Sequence, residues 1–219
     1  MRLLLLLLVT ASVYAQIPTA ADLYAAVSAS YKKSMPASFT ADIAGDIIDK
    51  QVGTIPKSQT TGKGKAKLTL YVKQGFKPKL VLTGVSSFYE TMFSRFVPHL
   101  MFLGPFAIVE QRDYKGFLAR FAIASVDAAA DMWRVKVRDL KEDAGFAYLF
   151  IDKTNSLIMR GEYWFEKKLI MRSALTYTNN GQWNIIDSID FSGEGEKPYS
   201  SSVHMSRHTA AVIKDDFFK

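Results

Sequence analysis

From Phe117 to Arg207 the chain reads as short alternating segments joined by tight turns, and that pattern restricts it to a serially antiparallel sheet. Phe117, Ala119, Phe121 and Ile123 alternate with their neighbours, and Trp133, Val135 and Val137 alternate with Arg134, Lys136 and Arg138. Side chains that switch character every second residue mark a strand with one buried and one wet face. Further segments run from Phe146 to Ile151, Leu157 to Phe165, Lys168 to Thr178, Gln182 to Ser192 and Pro198 to Arg207. Lys153-Thr154-Asn155, Glu166-Lys167 and Asn179-Asn180-Gly181 separate them, the last being a strong hairpin signal.

The first half adds three strands. "ASFTADIA" opens one that runs from Ala37 to about Asp49, Gly64 to Lys73 alternates Ala66, Leu68, Leu70 and Val72 with lysines and Thr69, and Lys79 to Thr83 follows a Gln74-Gly75 turn. About ten strands cannot stay flat in one sheet; they curl, split or close. Two regions are helical. Thr19 with Asp22 forms an N-cap, Leu23, Val27 and Tyr31 recur at helical spacing, and Pro36 ends a helix predicted over Ala20 to Met35. Phe88, Met92, Phe96 and Leu100 recur every four residues within Ser86 to Val109, which Pro98 and Pro105 interrupt. The expected fold is α+β: a strongly curved antiparallel sheet, an unclosed β-barrel, with helices covering its concave face. Gln51 to Gly62 is expected to be loop, and the tail from Thr209 weakly ordered.

Residues 1–15 carry Arg2, an apolar run from Leu3 to Val9 and a small-residue end at Ala15. This is the layout of a secretory signal peptide, too short to span ~30 Å of hydrocarbon. A mature domain is expected over 16–219, without internal repeat or linker. The chain contains no cysteine, which excludes disulfides, thiolate chemistry and Cys-based zinc sites. An exported yet unstapled domain suits a bacterial periplasm. The formal net charge is +7, and no acid occurs between Lys50 and Tyr89, where Lys57, Lys63, Lys65, Lys67, Lys73, Lys77 and Lys79 fall. Such a face serves solvent, an acidic partner or a transient membrane contact. Export argues against nucleic acid.

No catalytic constellation emerges. His204 and His208 stand four apart on what reads as a strand, ~13 Å from each other along one face, a poor metal pair. Ser30 to Lys33 satisfies S-x-x-K without the accompanying motifs, and no serine lies in G-x-S-x-G. Asp187, Asp190, Glu194 and Glu196 have no facing carboxylate partner of the kind glycoside chemistry needs. Neither an enzyme, a metal nor a cofactor is expected. What remains is apolar volume. A hollow is costly, on the order of 24 cal/mol per Å³, unless a lid collapses into it or a guest fills it. An acyl guest gains ~0.8 kcal/mol per buried methylene. The same residues also suffice for an ordinary filled core.

In order and pattern the chain resembles the periplasmic lipoprotein-localisation carriers, LolA/LolB-like. The resemblance rests on the helix before "ASFT" (Ala37 to Thr40), on "GKAKLTLYVKQG" (Gly64 to Gly75), and on the long run from Tyr148 to Phe191 that ends in a Trp-bearing hairpin. It implies a carrier of acylated lipoproteins or other lipids, acting as a monomer between an inner-membrane lipoprotein-release transporter and an outer-membrane acceptor. A lipid- or lipoprotein-sensing module without transfer activity is the alternative, and an envelope hydrolase a further one. Phe39, Ile43, Leu68, Leu70, Val135 and Val137 would line the cavity; Phe88, Met92, Phe96 and Phe102 would form the lid; the lysines of the second strand would face headgroups or a partner. Two departures stand out. Gln74-Gly75 replaces the carriers' Arg-Pro pair, whose arginine latches the lid, and Ser86 to Leu103 replaces their Asp-Gly hairpin.

Overall fold

A computed structural model describes residues 16–61, 66–91, 113–140, 145–179, 183–194 and 198–218. Helix α1 (Ala20–Ser34) starts at its expected cap: Thr19 Oγ1 accepts from the Asp22 amide at 3.1 Å and donates to Asp22 Oδ2 at 2.6 Å. Met35 ends it in an extended conformation, as the Pro36 that follows requires. Leu23, Tyr24, Val27 and Tyr31 form its buried stripe.

The remaining elements are β1 (Ser38–Ala44), α2 (Asp46–Gly53), β2 (Lys67–Lys73), β3 (Lys79–Thr83), α3 (Tyr114–Leu118), β4 (Phe121–Ala129), β5 (Met132–Asp139), β6 (Gly145–Asp152), β7 (Ile158–Phe165), β8 (Lys168–Asn179), β9 (Asn184–Gly193) and β10 (Tyr199–Ala210). They form one ten-stranded sheet in the order β3-β2-β1-β10-β9-β8-β7-β6-β5-β4. Every pairing is antiparallel. The sheet is an unclosed one, because β3 and β4 stand at its two ends and do not pair. Consecutive hairpins build each half, and the single long-range pairing of β1 with β10 joins them.

One face carries α1 and the main core, which takes in Phe39, Leu70, Val135, Ile158 and Ile189 from across the sheet. The opposite face accounts for many of the remaining rings. There Lys136 Nζ lies 4.1 Å from the Phe146 ring centroid, Arg160 caps Phe150 at 3.7 Å, and Phe146 stacks on Trp164 at 6.1 Å.

Five expectations require correction. The first strand stops at Ala44 rather than near Asp49, because Gly45 takes φ +143°, a conformation that only glycine adopts readily. Helix α2 follows, and its acids Asp46 and Asp49 fall in the first turn, where the helix dipole favours them; Gln51 thus belongs to a helix, not a loop. Phe117 and Ala119 do not begin a strand. Asp113 caps α3 by accepting from Gly116 N at 2.7 Å, and β4 starts at Phe121. The tail is not loose: β10 extends to Ala210, and a 3₁₀ turn over Asp215–Phe218 docks on β2 and β3. Finally, His204 and His208 do not share a face. The β1–β10 register slips between Thr40 and Asp42, and Arg207 takes φ +52°, so His204 is exposed while His208 packs against Phe39.

Candidate functional site

Where α1 crosses the sheet, a small apolar pocket remains. Leu23, Tyr24 and Val27 of α1 form one wall; Val135 and Val137 of β5, flanked by Val126 and Ile123 of β4 and by Leu149 and Ile151 of β6, form the other. The register explains the assembly: Val135 lies opposite both Val126 and Leu149, so one apolar row crosses three strands. Phe117 also lines it and packs its ring, tilted, against Tyr24 and Phe121 at 5.2 and 5.0 Å. The pocket's volume is about 30 Å³, and its lining is almost wholly apolar, so it offers a water few of the two to four polar partners that hold one.

The two ends of α1 are held differently. At its C-terminal end, Ile158 N donates to Tyr31 Oη at 3.1 Å, and Tyr177 Oη donates to the Ile158 carbonyl at 2.7 Å. Tyr177 has thereby used its only proton, so Tyr31 donates to Tyr177, at 2.6 Å. The three groups form a closed ring of hydrogen bonds at the start of β7, beside the β6–β7 register slip. Burial raises both phenol pKa values well above the usual tyrosine range. Ser30 Oγ adds a bond to the Asn155 carbonyl at 2.7 Å. Towards the N-terminal end, Tyr24 packs at a tilt against Tyr114 and Phe117, each at 5.2 Å, while its own hydroxyl is buried with no hydrogen-bond partner among the described residues. Burial first, and the charge of Asp113 second, push its pKa up.

The structure divides the six residues expected to line a cavity. Val135 and Val137 are at the pocket wall. Phe39, Ile43, Leu68 and Leu70 share the core but sit on β1 and β2, with Ile43 paired to Leu68, and do not line this pocket. Of the residues expected in a lid, Phe88 is 68% exposed while Tyr89 next to it packs on the core; Met92, Phe96 and Phe102, like His99, lie outside the described residues. Sequence reasoning missed Leu23, Val27, Phe117 and Leu149 as pocket residues. The helical spacing of the first two was legible, but which strands they would meet was not.

The lysines of β2 and β3 are engaged within the chain. Lys73 Nζ binds the Ile213 carbonyl at 2.6 Å and Asp215 at 2.5 Å; Lys79 Nζ binds the Phe217 carbonyl at 2.8 Å and lies over its ring. Lys67 pairs with Asp42 at 2.9 Å. The tail thus engages Lys73 and Lys79, whereas Lys67, half exposed, is held by β1. Among the described residues no group of three His, Asp or Glu side chains is placed to hold a metal, and no helix is long and apolar enough to cross a membrane.

The unclosed antiparallel sheet with α1 on one face is a LolA-like fold. This chain is similar to a LolA superfamily protein from Nitrosomonas europaea, with a TM-score of 0.56 at 11% identity over 92% of this chain and 98% of that one. It is also similar to a putative outer membrane lipoprotein-sorting protein domain from Vibrio parahaemolyticus, with a TM-score of 0.51 at 10% identity over 90% and 95% of the two chains. No family model matches the sequence, and no curated protein matches it. The chain has the LolA-like fold, which resembles that of lipoprotein-sorting proteins.

Proposed function

We propose that this protein is a soluble, non-enzymatic periplasmic carrier that takes the acyl chains of a lipoprotein or another lipid between α1 and β4–β6. It would work as a monomer and pass its cargo from an inner-membrane release transporter to an outer-membrane acceptor. The observation that carries the reading is the almost wholly apolar pocket under a helix pinned at one end. An acyl chain needs far more than about 30 Å³, so loading requires α1 to lift from the sheet. It pivots on the Tyr31–Tyr177–Ile158 ring, and the end bearing Leu23 and Tyr24 moves. Exposing Leu23 and Val27 costs about 3–6 kcal/mol, and ten buried acyl methylenes return about 8 kcal/mol. The two terms are close enough for loading and release both to occur. Lid collapse in the empty protein keeps the cavity penalty small. The LolA-like fold supports the same reading.

The test is lipid extraction from the purified protein with mass spectrometry, alongside titration with a fluorescent fatty acid. Bound acyl lipid is expected, and Val137→Phe and Leu149→Phe, on neighbouring strands of the wall, should each weaken uptake roughly tenfold by filling the space. A folded protein that binds no acyl chain, or uptake indifferent to both substitutions, overturns the proposal.

A further inference from the structure

The exposed large apolar side chains are not scattered at random among the described residues. Because every strand pair is antiparallel, the start of β4, the end of β5, the β7–β8 turn and the start of β10 all fall at one end of the strands, as does the end of β3. Leu118, Leu140, Phe165, Ile170 and Tyr199 lie there, as does Phe88 beyond β3, each at least 40% exposed. Val212 is exposed at the opposite end, and Ile17 is exposed ahead of α1. Strands stand about 4.8 Å apart, so these tips are spread along a rim rather than gathered in one patch. A compact protein partner would need a contiguous apolar area; a plane can meet separated tips together.

The charge pattern says which plane. On the β4–β8 half of the rim each apolar tip has an exposed cation within three residues. Lys115 accompanies Leu118, Arg138 accompanies Leu140, and Lys167 and Lys168 flank Phe165 and Ile170. No ion pair or side-chain hydrogen bond engages these four cations among the described residues, in contrast to Lys67, Lys73 and Lys79. Two exposed acids share this half of the described rim, Glu166 within the hairpin and Asp113 at the α3 cap, against the four cations; Asp139 is held by Arg120, Glu194 by Arg172, and Lys141, Glu142 and Asp143 lie outside the described residues. Asp46, Asp49 and Glu90 belong to the β1–β3 half.

We infer that the rim formed by α3, the β5 end and the β7–β8 hairpin docks on an anionic bilayer, with Leu118, Leu140 and Phe165 entering the interface and Lys115, Arg138, Lys167 and Lys168 meeting lipid phosphates. Apolar tips between cations are what an interface of headgroups and acyl chains takes up. This surface is separate from the pocket, and its role does not depend on the pocket taking an acyl chain.

The experiment is co-sedimentation of the chain over 16–219 with vesicles of phosphatidylcholine alone and of phosphatidylcholine mixed equally with phosphatidylglycerol. Binding to the mixed vesicles is expected, weaker at high salt. Two cations removed from an anionic surface, with the charges reversed, should lower partitioning by about thirtyfold or more in the pair Lys167→Glu and Lys168→Glu. Leu140→Ser with Phe165→Ser should lower it at any salt, with circular dichroism and fluorescent fatty acid uptake unchanged in both variants. Equal partitioning onto both vesicle types, no partitioning onto either, or rim variants that bind like the parent overturns the inference. So does a rim variant that instead dissolves a dimer in vesicle-free sedimentation, which would make the rim a contact between copies. Loss of fatty acid uptake in Val137→Phe with vesicle binding retained bears on the pocket alone.

Discussion

The hydroxyl oxygens of Tyr31 and Tyr177 meet at 2.6 Å above the first residue of β7, and with the Ile158 backbone they complete a ring in which each of the three donors finds an acceptor. One tyrosine comes from α1 and the other from β8, so the ring ties the N-terminal helix to the middle of the sheet. A phenol pair thus holds the helix at its C-terminal end.

Removing one member leaves buried partners unmatched. Tyr31→Phe should destabilise the fold by about 1–3 kcal/mol, because the Ile158 amide then has no acceptor. Tyr177→Phe should cost a similar amount. In urea unfolding the double variant should cost clearly less than the sum of the two, since both substitutions break the same ring; additive effects would show that the ring does not act as a unit.

Alkaline pH should act through the same pair. Burial raises both phenol pKa values, and the charge of either tyrosinate would raise its neighbour's further. Below the ordinary tyrosine value of 10.0 both states keep their protons and the stabilisation is whole. Above it the unfolded chain ionises first, so stability falls as pH rises. Ultraviolet titration should find two tyrosines that ionise only as the protein unfolds, and urea midpoints should decline above pH 10 more in the parent than in the double phenylalanine variant.

Gly45→Ala should be severe. A β-carbon there would lie 2.0 Å from the Ser202 carbonyl oxygen, and φ is +143°. Backbone on both sides of the clash must move, so a loss of about 3 kcal/mol or more is expected, read as a lower thermal midpoint and weaker β1–β10 amide protection. Gly53→Ala, where a β-carbon meets nothing within 4 Å, is the control and should be harmless or stabilising.

The docked tail should contribute through its ring more than through its charge. Phe217 lies 4.6 Å from Tyr71 and 4.7 Å from Lys79 Nζ, whereas the Asp215 side chain is 61% exposed. Phe217→Ala should cost about 1 kcal/mol and speed proteolysis after Ala211, while Asp215→Asn should stay within about 0.5 kcal/mol. The reverse ranking would mean that the salt bridge, not the stack, holds the tail.

The sequence by itself determined the sheet. Alternation in β5 through β10 and the turn residues between them are local signals, and a strand's two faces follow from backbone geometry alone, so Val135 and Val137 could be assigned to a buried face without knowing what covers it. The cap at Thr19 and the stop before Pro36 were legible for the same reason. Short helices were harder: α2 and α3 span 8 and 5 residues, too few for a helical period to stand out against a strand-like one. Only the tertiary structure decided which buried residues border free space, that Tyr31 would find Tyr177, and that the C-terminal tail would take Lys73 and Lys79. Each of those pairings closes a sequence gap of well over a hundred residues. No local periodicity encodes it; it is settled when β1 pairs with β10 and the halves of the sheet are brought into one body.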